Sequence, residues 1–290
     1  MTDVISMPTE INGQHPDIIV RLQGAGGAEL LHGQTTADFK NLGAGDVRYA
    51  AFCDPKGRVL ADVRAVVISD TEILLRGRAP VIEHLSAHLK PFLMFARATM
   101  TPTDWCISAE STERRGSVAT LEYEADTLSA VVIPGGEGFA ERWTPPSATL
   151  PNTAQTDLSY FEFQAARARI ETETIGAFLP QDLNFDLNGT VSFSKGCYTG
   201  KEIIARLHYR GTPKRRLHSA STTKEASPGQ VLRDAEGQAV GSVVNVTHHQ
   251  TRHQMLVDLK PDAVASAIYL DNTDSTLNEI ARCHDHGGTS

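Results

Sequence analysis

Hydrophobic and polar positions change period several times along the chain, and each change marks an element. Asp17-Ile-Ile-Val-Arg-Leu22 is an apolar run leading into Gly24-Ala-Gly-Gly27 and then Ala28-Glu-Leu-Leu-His32, which predicts a strand, a tight turn and a short helix. Three β-branched runs follow, 48–53, 59–68 and 72–76, divided by Asp54-Pro-Lys-Gly57 and Ser69-Asp-Thr71, so an antiparallel meander is predicted. Val81, Ile82, Leu85, Leu89 and Phe92 then recur at helical spacing and place a helix on that sheet. Two further strands are predicted over 117–124 and 128–134, ahead of Gly135-Gly-Glu-Gly138. The proline-rich, uncharged stretch from Thr144 to Thr153 reads as a linker. Leu158, Phe161, Ala165 and Ala168 mark one face of a helix ending near Arg169. Beyond about residue 213, short alternating runs with turns at Pro228-Gly229 and Asp234-Ala-Glu-Gly237 predict a small β barrel or sandwich. The class is α+β.

The glycine-rich turn after the first strand invites a dinucleotide reading, since such turns aim backbone N–H groups at a pyrophosphate. Gly24 and Gly26 fit the first two positions of that fingerprint, but the third falls on Glu29, a carboxylate where a phosphate would sit. No Walker loop, GxSxG elbow or HExxH pair occurs, so hydrolase and nucleoside-triphosphatase readings have no motif behind them.

Composition narrows the class further. The 290 residues are long enough for two or three compact units without a disulfide or metal staple, and no stretch approaches the ~20 apolar residues of a membrane span. Cys53, Cys106, Cys197 and Cys283 lie far apart with no CxxC pair, which excludes a zinc ribbon or a resident cluster motif and suits a reducing compartment. The first 14 residues carry Asp3 and Glu10 and no basic residue, so neither a secretory nor a transit signal is expected and the cytoplasm is the expected location. His249 and His253, four apart across an expected hairpin turn, and Cys283-His-Asp-His286 are weak metal signals.

Charge is where the chain becomes unusual. Residues 195–216 hold Lys195, Lys201, Arg206, Arg210, Lys214, Arg215 and Arg216 against Glu202 alone, a net of +6 that leaves −14 for the rest of a chain whose total is −8. A basic strip on an acidic protein suits a local anionic ligand and is poorly suited to wrapping nucleic acid, so direct nucleic-acid binding is not expected. Inside the strip, Cys197 stands between Gly196 and Gly200 with Lys195 and Lys201 on either side. Glycines leave the thiol uncrowded, and nearby ammonium groups favour the thiolate. Of the four cysteines it is the candidate reactive one, and the other three read as small buried hydrophobes.

Lys195-Gly-Cys-Tyr-Thr-Gly-Lys-Glu202 closely resembles the KGCYxGQE signature of the YgfZ-type folate-binding proteins, relatives of the aminomethyltransferase (T-protein) of the glycine cleavage system. His32-Gly-Gln-Thr-Thr-Ala-Asp38, Cys53-Asp-Pro-Lys-Gly57 and Phe178-Leu-Pro-Gln-Asp-Leu-Asn184 are similar to three further blocks of that family, in the same order, over about two thirds of the chain. Lys201 departs from the glutamine of the signature. The resemblance implies a three-domain, T-protein-like folate-binding fold with a C-terminal β barrel. The first domain would be discontinuous, 1–46 plus 154–212, with 47–153 inserted and 213–290 forming the barrel. It also implies tetrahydrofolate as cofactor, polyglutamylated forms included, and iron-sulfur enzymes or assembly proteins as partners, tRNA-modifying enzymes among them.

Carried over residue by residue, the resemblance assigns Cys197 and Lys195 as the catalytic residues, and Tyr198, with a ring for packing and a hydroxyl for hydrogen bonding, and Glu202 as folate-binding residues. Arg169-Ile-Glu171 is similar to the segment whose glutamate faces the pterin in the transferase branch, and a carboxylate suits the two parallel N–H donors of that ring. Arg206 and its basic neighbours suit a folate's glutamate tail. Of the adjacent aspartates of the transferases, only Asp62 remains, with Ala61 beside it. That favours an accessory role over the competing reading, a folate-dependent aminomethyltransferase or demethylase acting on a small amine.

Overall fold

A computed structural model of the chain describes residues 17–111, 117–124, 127–134, 139–145, 158–249, 252–271, 273 and 275–283. The expected linker beyond residue 145, the 135–138 glycine run, the N-terminal stretch before Asp17 and residues 284–286 lie outside them. The chain forms two compact units, Met1–Ala50 with Ala61–Leu158, and Ala51–Leu60 with Ser159–Ser290.

The first unit is built on a five-stranded antiparallel sheet. Its strands are β1 (Asp17–Gln23), β2 (Val47–Cys53), β3 (Val59–Ser69), β4 (Glu72–Arg78) and β5 (Thr99–Pro102), in the order β2-β3-β4-β1-β5. The predicted meander is therefore present, with β1 inserted beside its last strand. Helix α1 (Gly27–Gln34) follows β1 as expected. Helix α2 (Ala79–Phe95) buries Val81, Ile82, Leu85 and Leu89 of the predicted stripe, while Phe92, its last member, is exposed, as are Met94 and Phe95. Gly77 makes the close approach possible, because a Cβ there would come 2.6 Å from Ile82 Cδ1. A second sheet contains β6 (Cys106–Ser111), β7 (Ser117–Glu124), β8 (Thr127–Pro134) and β9 (Phe139–Thr144), in the order β6-β9-β8-β7. Trp143 of β9 is buried with Ile19, Val47, Val66, Ile68 and Leu74 in one apolar cluster.

The turn at Gly24–Gly27 is filled by the chain itself. A Cβ on Gly24, whose φ is +143°, would lie 2.3 Å from the carbonyl oxygen of Arg97, and one on Gly26 would lie 2.3 Å from that of Ala96. These glycines exist so that the end of α2 can close against the turn, which explains a glycine pattern without a dinucleotide.

Beside this core lies a buried charge network. Asp17 pairs with Arg76 and, at 3.1 Å, with Arg78; Glu141 pairs with Arg64 and Arg76 and accepts the indole N–H of Trp143 at 2.8 Å. Arg64 also reaches the Tyr49 hydroxyl, with its guanidinium carbon 4.4 Å from that ring's centroid. Charges this deeply removed from water are tolerable only when paired and hydrogen-bonded, and three arginines share two carboxylates here.

The second unit carries helix α3 (Leu158–Gln164), helix α4 (Lys201–Arg210) and a six-stranded antiparallel sheet. The sheet contains β10 (Arg216–Thr222), β11 (Val231–Arg233), β12 (Ala239–His249), β13 (Arg252–Leu259), β14 (Tyr269–Leu270) and β15 (Asn278–Arg282), ordered β14-β11-β12-β13-β10-β15. It curls into a half-barrel over a core of Leu232, Val243, Met255, Val257, Leu259, Ile268 and Leu270. The C-terminal barrel expected from the sequence is thus present as a half-barrel, with β14 and β15 at the two ends of the sheet order. The predicted turns are present, with Gly229 and Gly237 at φ near +80°.

The helices differ from expectation in two places. Helix α3 stops at Gln164, because Ala166 adopts a left-handed φ of +51° and the N–H of Arg167 turns back to the carbonyl of Glu162. The chain then runs extended through Ala168, Arg169 and Ile170, all buried, and Arg169 ion-pairs with buried Glu162 at 2.6 Å. Residues 201–210, for which no element is predicted, are helical. The signals were there: Gly200 before the first turn, Glu202 within it, Ile204 and Leu207 on one face, and Gly211 with Pro213 after the last.

Candidate functional site

Three sequence blocks far apart in the chain meet within the second unit. The Cys53–Gly57 turn is closed by the Gly57 N–H donating to the Asp54 carbonyl at 2.9 Å, with Gly57 at φ +76°. Opposite it stands Gly200, at φ +84°, where a Cβ would fall 2.6 Å from the Asp54 carbonyl oxygen, 3.0 Å from the Gly57 Cα and 3.3 Å from the Cys53 Cβ. Gly57 in turn faces Ile203 and Ile204 of α4. The two glycine turns pack backbone to backbone, which no residue with a side chain would permit. The Phe178–Asn184 block joins them. Val59 N–H donates to the Phe178 carbonyl, Gly176 N–H to the Val59 carbonyl, and Arg58 Nη1 to the Ala177 carbonyl, at 2.9, 2.8 and 2.7 Å. Gln181, fully buried in the short 3-10 helix Pro180–Leu183, donates Nε2 to the Ile204 carbonyl at 2.9 Å, while its Oε1 has no hydrogen-bond partner among the described residues. The fourth block, His32–Asp38, belongs to the first unit, where His32 Nδ1 lies 3.1 Å from Asp38 Oδ1.

Cys197 sits exposed on the loop these turns support. Lys195 and Tyr198, by contrast, are buried, and the Lys195 ammonium lies 4.6 Å from the Tyr198 ring centroid. Burial, reinforced by the neighbouring Cys53, pushes the Tyr198 phenol well above its ordinary range. Lys201, the departure from the family pattern, is accommodated in a specific way. Its Nζ donates to the carbonyls of Lys195 and, at 3.3 Å, of Gly196, while its N–H donates to the Tyr198 carbonyl at 3.1 Å. The ammonium therefore ties the loop on the N-terminal side of Cys197. Cys53 and Cys283 are buried, and burial raises both thiols, Cys283 to about 12 and Cys53 further, with Asp54 adding to the latter. Cys106 is exposed, so exposure alone does not single out Cys197; its loop does.

Glu171 lies at the end of the extended Arg169–Glu171 segment, beside the half-barrel. Asn245 of β12 clamps that segment: its Oδ1 accepts the Arg169 N–H at 2.8 Å, and its Nδ2 donates to the Arg169 carbonyl at 3.0 Å and to Glu171 Oε1 at 3.1 Å. Asn245 stands at a register shift in β12, which lets a polar side chain leave the ladder. Sequence reasoning missed it. An asparagine interrupting the apolar run Val243-Val-Asn-Val246 was the available signal, since asparagine is depleted in strands. Glu202 is exposed in the first turn of α4, where a carboxylate complements the helix dipole. Asp62 is buried on β3, in the first unit.

The structure separates the basic strip into engaged and unengaged cations. Arg216 grips Asp186 with two hydrogen bonds of 2.7 and 3.0 Å, and Arg215 pairs with fully buried Asp258 at 2.9 Å. Lys195 and Lys201 belong to the loop as described. Arg206, Arg210 and Lys214 are exposed and have no ion pair or hydrogen bond among the described residues. Nearby in the same unit Asp182 accepts the Leu179 N–H at 2.8 Å. Burial raises its carboxyl to about 6; Asp258 adds to the rise, and the Leu179 hydrogen bond, Arg58 and Arg215 oppose it. Of the histidines, His248 and not His249 pairs across the hairpin with His253, ring centroids 5.0 Å apart, and no group of three or more metal-binding side chains occurs among the described residues.

Sequence comparison meets this geometry directly. The chain is 27% identical over 278 residues to the tRNA-modifying protein YgfZ of Escherichia coli, covering 85% of each chain, and 26% identical over 254 residues to the YgfZ of Blochmanniella pennsylvanica, covering 79% of this chain and 76% of that one. The chain is a homologue of YgfZ. An uncharacterised protein of Haemophilus influenzae is 28% identical over 221 residues, covering 74% of this chain and 75% of its own. No family model matches the chain. Among solved structures, the YgfZ homologue shares the fold of the glycine cleavage system aminomethyltransferase T of Bartonella henselae, with a TM-score of 0.67 at 14% identity over 90% of this chain and 82% of that one. The T-protein-like fold expected from the motif blocks is therefore present. No helix among the described residues is long and apolar enough to cross a membrane.

Proposed function

We propose that this YgfZ homologue is a tetrahydrofolate-binding accessory protein that supports assembly or repair of iron-sulfur clusters in other proteins, with tRNA-modifying enzymes among its clients. The observation that carries this reading is the exposed Cys197 on a loop knitted to the Cys53–Gly57 turn and held by Lys201. The T-protein-like fold and the YgfZ relatives support it.

The side chains fit a pterin at one point above all. Glu171 is a carboxylate whose Oε1 is held by Asn245, itself fixed by both backbone groups of Arg169, so the acceptor is oriented before any ligand arrives. A pterin edge carries two N–H donors for which such a carboxylate is the matching acceptor. Tetrahydrofolate, when bound, supplies a carrier for one-carbon units. Glu171 orients that ring and Cys197 presents a thiol to the client. Lys195 and Tyr198 hold the loop from within, and Glu202 stabilises the start of α4. The working domain boundaries are 1–46 with 154–212, 47–153 and 213–290, and the working location is the cytoplasm.

Titration of the purified protein with tetrahydrofolate, compared with Glu171→Ala and Glu171→Gln, tests the pterin assignment. Loss of about 1.5–3 kcal/mol of binding, at least tenfold, is expected for Glu171→Ala, and unchanged affinity removes the assignment. Cys197→Ser should bind folate normally yet fail to restore iron-sulfur enzyme activity in cells lacking the native protein. Full restoration by that variant removes the working thiol.

A further inference from the structure

The last two turns of α4 set beside their cations a cluster of rings that the folate reading does not use. Phe193 stacks on His208 with ring centroids 3.6 Å apart and planes 15° from parallel, and Tyr209 meets the two rings edge-on at 6.1 and 4.8 Å. Tyr209 is 67% exposed, so the cluster presents a ring to solvent. Around it stand the cations that remain unengaged: Arg206 and Arg210, four apart and so on one face of the helix, and Lys214 just beyond its end. The negative end of the helix dipole accounts for basic residues in the last turn, but not for Arg206, nor for an exposed tyrosine among them.

We infer that this face binds a short single-stranded stretch of nucleic acid, the cations taking phosphates and the ring cluster taking one or two unstacked bases. Both halves of the surface are used by such a ligand. A base offers a π face to Tyr209 or to the Phe193–His208 stack, and its phosphates meet three positive charges that no carboxylate of the described residues neutralises. An acidic peptide or a folate's glutamate tail would occupy the cations and leave the rings idle. The net negative charge of the whole chain opposes wrapping of a duplex. It does not oppose a local contact of a few nucleotides, because charges more than about 10 Å away are largely screened at ordinary ionic strength. This inference is independent of the pterin site, which uses Glu171.

The test is fluorescence anisotropy of the full chain with a labelled 12-nucleotide single-stranded RNA at 50 mM salt, with decaglutamate as a charge-only competitor. Binding is expected in the range of ~10–100 μM, near that of non-specific protein–nucleic acid contacts. Tyr209→Ala should weaken it about 5- to 100-fold, the range for loss of one base–aromatic stack. The double variant Arg206→Ala/Arg210→Ala should lower the slope of log affinity against log salt by about 1.4. Melting temperatures of both variants report whether they fold. Crosslinking of a 4-thiouridine-substituted strand to Phe193, His208 or Tyr209 in the unaltered protein supplies evidence that needs no variant. Three results each overturn the inference: no binding at 1 mM protein; affinity unchanged in a folded Tyr209→Ala; or displacement by decaglutamate at equal charge concentration, which would make the face an acceptor for acidic protein surfaces. Tetrahydrofolate titration of Tyr209→Ala keeps the two sites apart, since that substitution touches neither Glu171 nor the cations assigned to a folate's glutamate tail.

Discussion

Two glycine-bracketed turns, one in each compact unit, look alike in sequence and do opposite things. Both hold glycine where a Cβ would strike a backbone carbonyl: Gly24 and Gly26 against Arg97 and Ala96, Gly200 against Asp54. In the first, the close approach seats the residues after α2 against the turn. In the second, the same packing lifts a loop that carries an exposed thiol. Charges follow the same division. In the first unit, Arg64, Arg76 and Arg78 are buried on Asp17 and Glu141, whereas in the second Arg206, Arg210 and Lys214 face solvent unpaired among the described residues. Glycine and arginine therefore report function only when a reactive or exposed group accompanies them.

The contrast can be broken most severely at the buried network. Arg76→Met leaves Asp17 short of a partner at the centre of the first unit and should cost about 3–5 kcal/mol, read as a lowered urea midpoint, while the alkylation rate of Cys197 in the folded fraction stays the same. A near-normal midpoint would mean that Arg78 and Arg64 suffice to neutralise the carboxylates.

Substituting the two turns sharpens it further. Gly26→Ala should destabilise by about 2–3 kcal/mol through overpacking against Ala96, again without changing Cys197. Gly200→Ala should cost a similar 1–3 kcal/mol from its positive φ and its contact with Asp54, but here iodoacetamide labelling of Cys197 in the folded protein should change several-fold. Equal labelling in both variants would show that the second turn does not position the thiol.

A smaller effect separates the units by pH. The folded Asp182 carboxyl sits at about 6, against an ordinary 3.8, so the folded state binds the proton more tightly than the unfolded chain. Its contribution to stability is greatest below about pH 4 and is lost as pH rises through 6, on the order of 1–3 kcal/mol in all. Asp182→Asn should remove that slope, seen as a difference in urea midpoints between wild type and variant from pH 4 to 7. The smallest expected change is that of Cys197→Ser, within about 0.5 kcal/mol, because an exposed thiol contributes little packing. A larger loss would mean that Cys197 serves the loop as structure.

Much of this was legible in residue order. Strands, turns and α2 followed from periodicity because each depends on neighbours within a few residues, as Val81, Ile82, Leu85 and Leu89 illustrate. The motif blocks carried the T-protein-like fold and pointed to Cys197. The missed parts depend on partners distant in the chain. Asn245 acts on Arg169 and Glu171 across 74 residues or more, and Arg215 and Arg216 looked available until Asp258 and Asp186 were seen to hold them. The end of α3 at Gln164 goes with the left-handed Ala166 and the return of Arg167 and Arg169 to Glu162, which no helical periodicity records.

The sequence by itself determined which residue types stand at which turns: glycines for positive φ, a cysteine between two of them, seven cations in 22 residues. Only the tertiary structure decided which of those cations remain available and which glycine turn holds an open side chain. The reason is physical. Propensity and periodicity are local, but neutralising a charge or filling the space above a glycine depends on whatever atom the fold brings within a few ångströms.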